Sequence, residues 1–172
     1  MIEDIKIPED RIGVLIGPNG KVKRQLMKKG NVFIEVDSQT GDITVDGEGE
    51  NFYKVCDVIK AIGRGFSPEK ALKLFENDYL LKIISIKDYV GKNSSAQQAK
   101  RGRVIGREGF ARNEIERKTN SFVSVQGKTV AIISRVGDLE AAMKAVEMLL
   151  KGAKHETMQH YLETKDNSRF EL

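Results

Sequence analysis

The chain has 172 residues, of which 40% are hydrophobic, and a formal net charge of +4, so it could form one domain or two small ones. No apolar run approaches the roughly 20 residues of a bilayer-spanning helix, and the acidic start at residues 1–4 lacks a signal-peptide pattern. Cys56 is the only cysteine, which excludes an internal disulfide and favours a cytoplasmic location.

Apolar periodicity and turn residues predict the elements of the first half. In chain order they are a strand at 2–7, a helix at 11–16, a helix at 21–29, strands at 32–36 and 42–46, a helix at 52–62 and the start of a further helix at 67–69.

The second half repeats this order of predicted elements. They are a strand at 80–87, a helix at 93–105, a helix at 110–118, strands at 122–125 and 129–133, a helix at 139–150, an extra helix at about 156–163 and a tail at 166–172 that is expected to fray.

A glycine-rich turn lies between the first two helices of each half, and it shows that the chain contains an internal repeat. Gly17-Pro18-Asn19-Gly20 and Gly106-Arg107-Glu108-Gly109 are 89 residues apart, and Phe33 and Phe122 keep this offset. Beyond one two-residue gap the offset is 87. A repeat in constant register predicts two copies of one module, at residues 1–78 and 79–172.

Charge is unevenly distributed along the chain. Residues 1–78 carry a net charge of −2 and residues 79–172 carry +6. Six basic and no acidic residues lie from Arg11 to Gly30. The acids that follow lie on the predicted strands and their loops, at Asp37, Asp42, Asp46, Glu48 and Glu50. Each copy therefore has a basic side around its turn, which favours a polyanionic ligand.

The order of strand, helix, glycine turn, helix, strand, strand and helix resembles a type I KH domain. Residues 16–20 and 105–109 resemble the I-G-x-x-G signature of that family. The resemblance covers nearly the whole chain, twice. It implies an α+β fold of two tandem KH domains, each a three-stranded antiparallel sheet with helices packed on one face, and an extra C-terminal helix in the second.

The second copy resembles one KH group more closely. Residues 102–109, then Arg112, Ile115-Glu116, Thr119 and residues 125–133 are similar to the second KH domain of a small-subunit ribosome assembly factor, which partners the endonuclease that matures the rRNA 3′ end. The resemblance implies single-stranded rRNA as ligand. It implies ribosome assembly proteins such as that endonuclease as partners, with a translation initiation factor as a further candidate. Members of the group are not enzymes, and no cofactor or metal is expected.

In the KH mode of binding, the turn clamps the backbone of about four nucleotides beside a groove formed by two helices and a strand. Lys23 and Arg112 stand where the family usually has an aliphatic residue, so this groove is expected to be more cationic than usual. The resemblance and the clustering of charge predict these RNA-binding residues: Gly17, Pro18, Asn19, Gly20, Lys21, Lys23, Arg24, Ile34, Arg101, Arg103, Ile105, Gly106, Arg107, Glu108, Gly109, Arg112, Val123 and Val125.

Residues that could carry catalysis have simpler interpretations. Val22 follows Gly20-Lys21, so the first turn is not a P-loop. His155 and His160 are five residues apart instead of the four that a shared zinc requires, and both are expected on the surface. Cys56 is expected to be buried and inert. Phe110 directly follows the second turn, and a core contact at the helix start is favoured there over the alternative, base stacking.

Two functions of different classes remain open. The favoured one is a single-stranded RNA-binding assembly factor, in which the more basic second copy supplies most of the affinity. The alternative is a tandem scaffold that acts mainly through protein contacts, with the acidic first half docking a partner.

Overall fold

The computed structural model describes residues 1–170, and their contacts divide the chain into two compact units, with the division after Tyr79. Among the described helices, none combines the length and the apolar character needed to cross a bilayer. Each unit is described below by itself.

The first domain contains one sheet with the strand order β1-β3-β2, all neighbours antiparallel. Its elements are β1 (Ile2–Lys6), α1 (Glu9–Ile16), a 3-10 turn (Pro18–Gly20), α2 (Lys21–Gly30), β2 (Val32–Asp37), β3 (Asp42–Gly47), α3 (Glu50–Gly63), α4 (Pro68–Ala71) and a second 3-10 turn (Leu72–Phe75).

The second domain repeats this sheet with the strand order β4-β6-β5. Its elements are β4 (Tyr79–Ser85), α5 (Lys87–Val90), α6 (Ser94–Ile105), a 3-10 turn (Arg107–Gly109), α7 (Phe110–Thr119), β5 (Phe122–Gln126), β6 (Thr129–Arg135), α8 (Val136–Leu150) and α9 (His155–Phe170). The predicted α+β architecture of two type I KH-like units is confirmed.

Strand alternation explains why each sheet buries one face. In β2, Val32 and Ile34 are buried while Phe33 and Glu35 are exposed, because successive side chains of a strand point to opposite faces. The helices cover the buried face. In the second domain, Met158 and Leu162 of α9 join this core, so α9 is part of the folded unit.

Several predicted boundaries differ from the observed ones. α1 begins two residues earlier than predicted, after Pro8, and α8 begins at Val136 instead of residue 139. The tail predicted to fray from residue 166 is helical to Phe170, and Lys118 Nζ lies 3.4 Å from Asp166 Oδ2. Residues 171 and 172 of that predicted tail lie outside the described residues.

Candidate nucleic-acid interface

The two glycine turns, residues 17–20 and 106–109, have the same backbone conformation. Gly17 and Gly106 have φ/ψ angles of 74°/174° and 75°/174°. Two residues later, Asn19 and Glu108 are both left-handed, at 54°/29° and 55°/26°. The chain therefore presents one arrangement of backbone groups twice.

Glycine is required at the first position of each turn. A positive φ combined with ψ near 180° is a region that essentially only glycine occupies. A Cβ on Gly17 would lie 2.5 Å from Val22 Cγ2, and one on Gly106 would lie 2.7 Å from the backbone nitrogen of Ala111. A side chain at either position would deform the turn.

The helices that follow the turns begin without side-chain caps, although the first N–H of each, on Lys21 and Phe110, donates to a carbonyl of the turn. α2 and α7 begin directly after Gly20 and Gly109, and no side chain caps either N-terminus. Neither helix has an acidic residue in its first turn. Because the first N–H groups of a helix lack intrahelical acceptors, both junctions suit a phosphate.

A groove of about 390 Å³ lies beside the first turn and is called the first groove. Its floor is formed by half-buried apolar side chains from α1, α2 and β2, and its rim carries two cations. Arg24 Nη1 donates to the Asn19 carbonyl at 2.5 Å and so braces the turn. The lining residues are Ile16, Gly20, Lys23, Arg24, Met27, Val36 and Ser38.

Two predicted groove residues belong to the core instead. Ile34 is 0% exposed and Val123 is 5% exposed, so neither has a surface to offer a ligand. Val36 lies two residues further along the same strand face and lines the groove in place of Ile34. The counterpart of Val36 is Val125, a predicted residue that is half-buried.

The second domain places different side chains at the positions of the first groove. Ile105 and Val125 keep its apolar character, but Glu116 replaces Met27. The Oε2 atom of Glu116 accepts a hydrogen bond from the Val123 N–H at 3.0 Å. Arg112 is half-buried, and its shielded Nε has no hydrogen-bond partner within the described residues.

The predicted phosphate-facing cations fall into two groups. Lys21 and Arg107 are exposed beside their turns, as expected for phosphate contacts. Arg101 instead donates from Nη1 to the Gly127 carbonyl at 2.8 Å. Arg103 donates from Nη2 to the Ala153 carbonyl, and this bond fastens the end of α6 to the loop before α9. These two guanidinium groups therefore serve the fold of the second domain.

A further groove of about 500 Å³ lies beside the second turn and is called the α9 groove. Phe110 lines it and is 54% exposed, so the predicted core contact is wrong. His155 is half-buried instead of lying on the open surface, with Nε2 2.9 Å from the Arg103 carbonyl. The lining residues are Gly106, Arg107, Glu108, Phe110, Ala111, Asn113 and His155.

The remaining reactive side chains are placed as structural groups. Cys56 is 1% exposed. Burial and the Glu3 carboxylate raise the pKa of its thiol to about 12, so the thiol stays protonated at neutral pH. Within residues 1–170, no three His, Cys, Asp or Glu side chains cluster in a way that could hold a metal ion.

Comparison with known proteins supports the interpretation of both halves. The KH domain family model matches residues 2–61, and the model described as eukaryotic-type KH domain, type I, matches residues 80–167. A KH domain-containing protein of Methanocaldococcus jannaschii is 44% identical over 180 aligned positions, which cover 99% of this chain and 78% of that protein.

Two solved structures resemble the chain over nearly its whole length. Dim2p from Pyrococcus horikoshii OT3 is 40% identical with a TM-score of 0.87, and the match covers 95% of this chain and 99% of Dim2p. The a/eIF2alpha–aDim2p–rRNA complex from the same organism contains a chain that is 39% identical with a TM-score of 0.90, covering 98% and 95%.

The fold, the paired turns and these matches define a tandem KH-domain protein of type I. The chain belongs to the KH-domain family, and its similarity to Dim2p extends through both domains.

Proposed function

We propose that this protein binds single-stranded RNA as a small-subunit ribosome biogenesis factor, at the 3′-end region of the small-subunit rRNA. The observation that carries the proposal is the pair of identical turn backbones, each opening a helix with an uncapped N-terminus. The two turns supply phosphate donors, and half-buried apolar side chains beside each, Ile16 with Val36 and Ile105 with Val125, supply a surface for bases.

The comparisons support the choice of ligand and partners. The similar aDim2p of Pyrococcus horikoshii was crystallised with a/eIF2alpha and rRNA. We extend this to the present chain as binding of rRNA and of a translation initiation factor. The 3′-end endonuclease is a further proposed partner. The protein acts by binding, without catalysis or cofactor, in the cytoplasm.

Within this proposal, the second domain supplies most of the RNA affinity. Its half carries a net charge of +6 against −2 for the first. Its turn carries an exposed cation, Arg107, at the position of the uncharged Pro18. Counterion release makes such phosphate contacts a large part of RNA affinity, which should therefore fall steeply with salt.

One surface favours the alternative function, a scaffold that acts mainly through protein contacts. The exposed face of the first sheet is acidic, with Asp42 opposite Asp37, Thr44 opposite Glu35 and Asp46 opposite Phe33. Like charges on adjacent strands are unfavourable unless a cation covers them. This face suits a basic segment of a partner protein, and it would repel RNA.

The testing experiment is a set of anisotropy titrations with matched RNAs. The probes are a single strand from the rRNA 3′ end, a shuffled strand of equal length and composition, and a duplex of the first strand. We expect tight binding to the first and weaker binding to the other two. Equal affinity for the duplex contradicts single-strand recognition, and equal affinity for the shuffled strand contradicts the 3′-end assignment. Absence of binding to every RNA leaves the scaffold as the better function.

A further inference from the structure

The α9 groove and the first groove are lined largely by different positions of the repeat. The first groove contains Lys23, whose counterpart in α7 is Arg112. The α9 groove contains Phe110. At about 100° per residue, positions 110 and 112 are about 200° apart around the helix. Asn113 lines the α9 groove and its counterpart Arg24 lines the first groove, so the α9 groove adjoins the surface where KH-type binding is proposed and extends it toward Phe110 and His155.

The side chains of the α9 groove suit a nucleotide base. Phe110 exposes its ring, on which a base can stack. The amide of Asn113 forms no hydrogen bond within the described residues and offers both a donor and acceptors. With Nε2 of His155 donating to the Arg103 carbonyl, Nδ1 is the ring's remaining acceptor. An apolar surface with a few polar groups is typical of a site that binds a flat, polar heterocycle.

The groove is lined by one anion and one cation, Glu108 and Arg107, which suit the base and the backbone of one nucleotide. Glu108 lines it and repels a phosphate, whereas a carboxylate accepts hydrogen bonds from the amino groups of bases. Arg107 also lines the groove, from the turn, and can hold the backbone of that nucleotide. A strand clamped by the turn therefore has its next base, not its next phosphate, placed over Phe110.

The first domain lacks this surface. Lys21 occupies the position of Phe110, and Arg24 occupies the position of Asn113. At the offset of 87, Pro68 occupies the position of His155, and its side chain has no hydrogen-bonding group. The four-residue α4 begins there, where the second domain has the sixteen-residue α9.

We propose that the α9 groove binds one additional, unstacked base of the RNA strand held by the second turn. This inference rests on the proposed function. It extends the binding site of the second domain beyond the nucleotides that a KH turn clamps, and it makes α9 part of the RNA-binding surface.

The test uses the full chain, the Phe110→Leu variant and two single strands of the rRNA 3′ end, one of about four nucleotides and one extended by two nucleotides at each end. Phe33→Leu is the matched control, because Phe33 is 60% exposed on the outer face of the first sheet. Phe110→Leu should weaken binding of the longer strand by about fivefold or more, the lower end expected for base–aromatic stacking. It should leave the short strand unchanged, and Phe33→Leu should change neither.

The second readout is 2-aminopurine fluorescence at each flanking position of the longer strand. One position should be quenched on binding, and Phe110→Leu should remove that quenching. Equal affinity of Phe110→Leu and wild type for both strands, or equal loss for both, overturns the proposal. If wild type binds no RNA, the proposed function and this inference fail together. If wild type binds both strands and Phe110→Leu has no effect, only this inference fails.

Discussion

The two domains share a turn backbone but use their charges differently. Helix α2 carries five cations and no acid, and Lys21, Lys23 and Lys28 have no acidic partner within the described residues. In α7 two of the three cations are paired with acids, because Arg117 Nη2 lies 2.8 Å from Glu114 Oε1 and Lys118 Nζ lies 3.4 Å from Asp166 Oδ2. The net charge of each half therefore overstates the difference between the two grooves, since several acids of the first half lie on the exposed face of its sheet.

The grooves differ in chemistry as well as in charge. Met27 gives the first groove a soft apolar floor, whereas Glu116 at the same position of α7 is fixed by the Val123 N–H. The first domain thus offers free cations and an apolar floor. The second offers a cation in the turn, the half-buried Arg112 and the α9 groove. The same turn backbone therefore supports two different RNA-facing surfaces, one that offers free cations to phosphates and one that offers the α9 groove to a base.

The largest expected effect is shared by the two turns. Gly106→Ala places Cβ 2.7 Å from the Ala111 backbone nitrogen, and Gly17→Ala places it 2.9 Å from the Val22 backbone nitrogen as well as 2.5 Å from Val22 Cγ2. Rotation of a side chain cannot relieve a clash with the backbone. Backbone strain and overpacking together therefore predict a loss of about 3 kcal/mol for each variant. Urea unfolding of both variants is the measurement, and a loss below about 1 kcal/mol at either position contradicts the requirement for glycine.

The next effect tests the ranking of the domains in RNA binding. Replacing Arg107 and Glu108 by Asp should weaken RNA binding by about tenfold or more, because it removes a phosphate contact and adds a repelling charge. The same change at Pro18 and Asn19 should have a smaller effect. Both turns are exposed, so circular dichroism should show intact folds.

Salt dependence sharpens this result. The Arg107/Glu108 variant should also have a shallower dependence of affinity on salt, by roughly 0.7 for one lost single-strand contact. Titrations at two salt concentrations measure the slope. A greater loss for the Pro18/Asn19 variant reverses the ranking and assigns the main site to the free cations of α2.

A smaller effect tests the difference in the groove floors. Glu116→Met, which installs the first-domain residue in the second domain, leaves the Val123 N–H without its acceptor. Because that bond has a charged acceptor, the expected loss of stability is about 1.5 kcal/mol. RNA affinity should not fall, since a carboxylate has left the groove. Glu116→Gln is the matched control, because its side-chain oxygen still accepts. The prediction fails if both variants are equally destabilised.

The smallest effect compares ion pairs that fasten each domain. Lys60 Nζ lies 2.7 Å from Glu3 Oε1, and its hydrogen bond lowers the pKa of Glu3 below the ordinary 4.5. A lowered carboxyl pKa stabilises the fold above pH 4.5, and this contribution is lost as pH falls through the folded value. Glu3→Gln should therefore lose about 0.5 kcal/mol at pH 7 and less at pH 3. Asp166→Asn, which breaks the longer 3.4 Å pair, should lose less in unfolding experiments.

Local patterns made much of the fold predictable from the sequence. The turns, the α2 and α7 helices and the alternation of β2 follow from short-range periodicity, and the structure has them where expected. Ile34 was misplaced because alternation identifies the inward face of a strand but not the point where the core ends and the groove begins. Val36, two residues onward at the strand end, is that point.

The α9 groove could not be predicted because its members are distant in sequence. His155 is about 45 residues from Phe110, and only the packing of α9 brings it to the turn. Arg103 likewise lies close to the second turn in sequence, which predicts a phosphate contact. Its Nη2 instead donates to the Ala153 carbonyl, in a loop fifty residues later. A basic residue near a glycine turn is ambiguous until its tertiary acceptors are known.

The hydrogen bond from Arg103 to Ala153 also determines when the surface of the second domain can form during translation. The first turn needs only elements that leave the ribosome early, so the first domain can fold while the rest is being translated. The helix before the second turn is held to the loop before α9, and the α9 groove includes His155, the first residue of α9. The α9 groove is therefore complete only after α9 has been synthesised, so the nascent chain forms the surface of the first domain before that of the second.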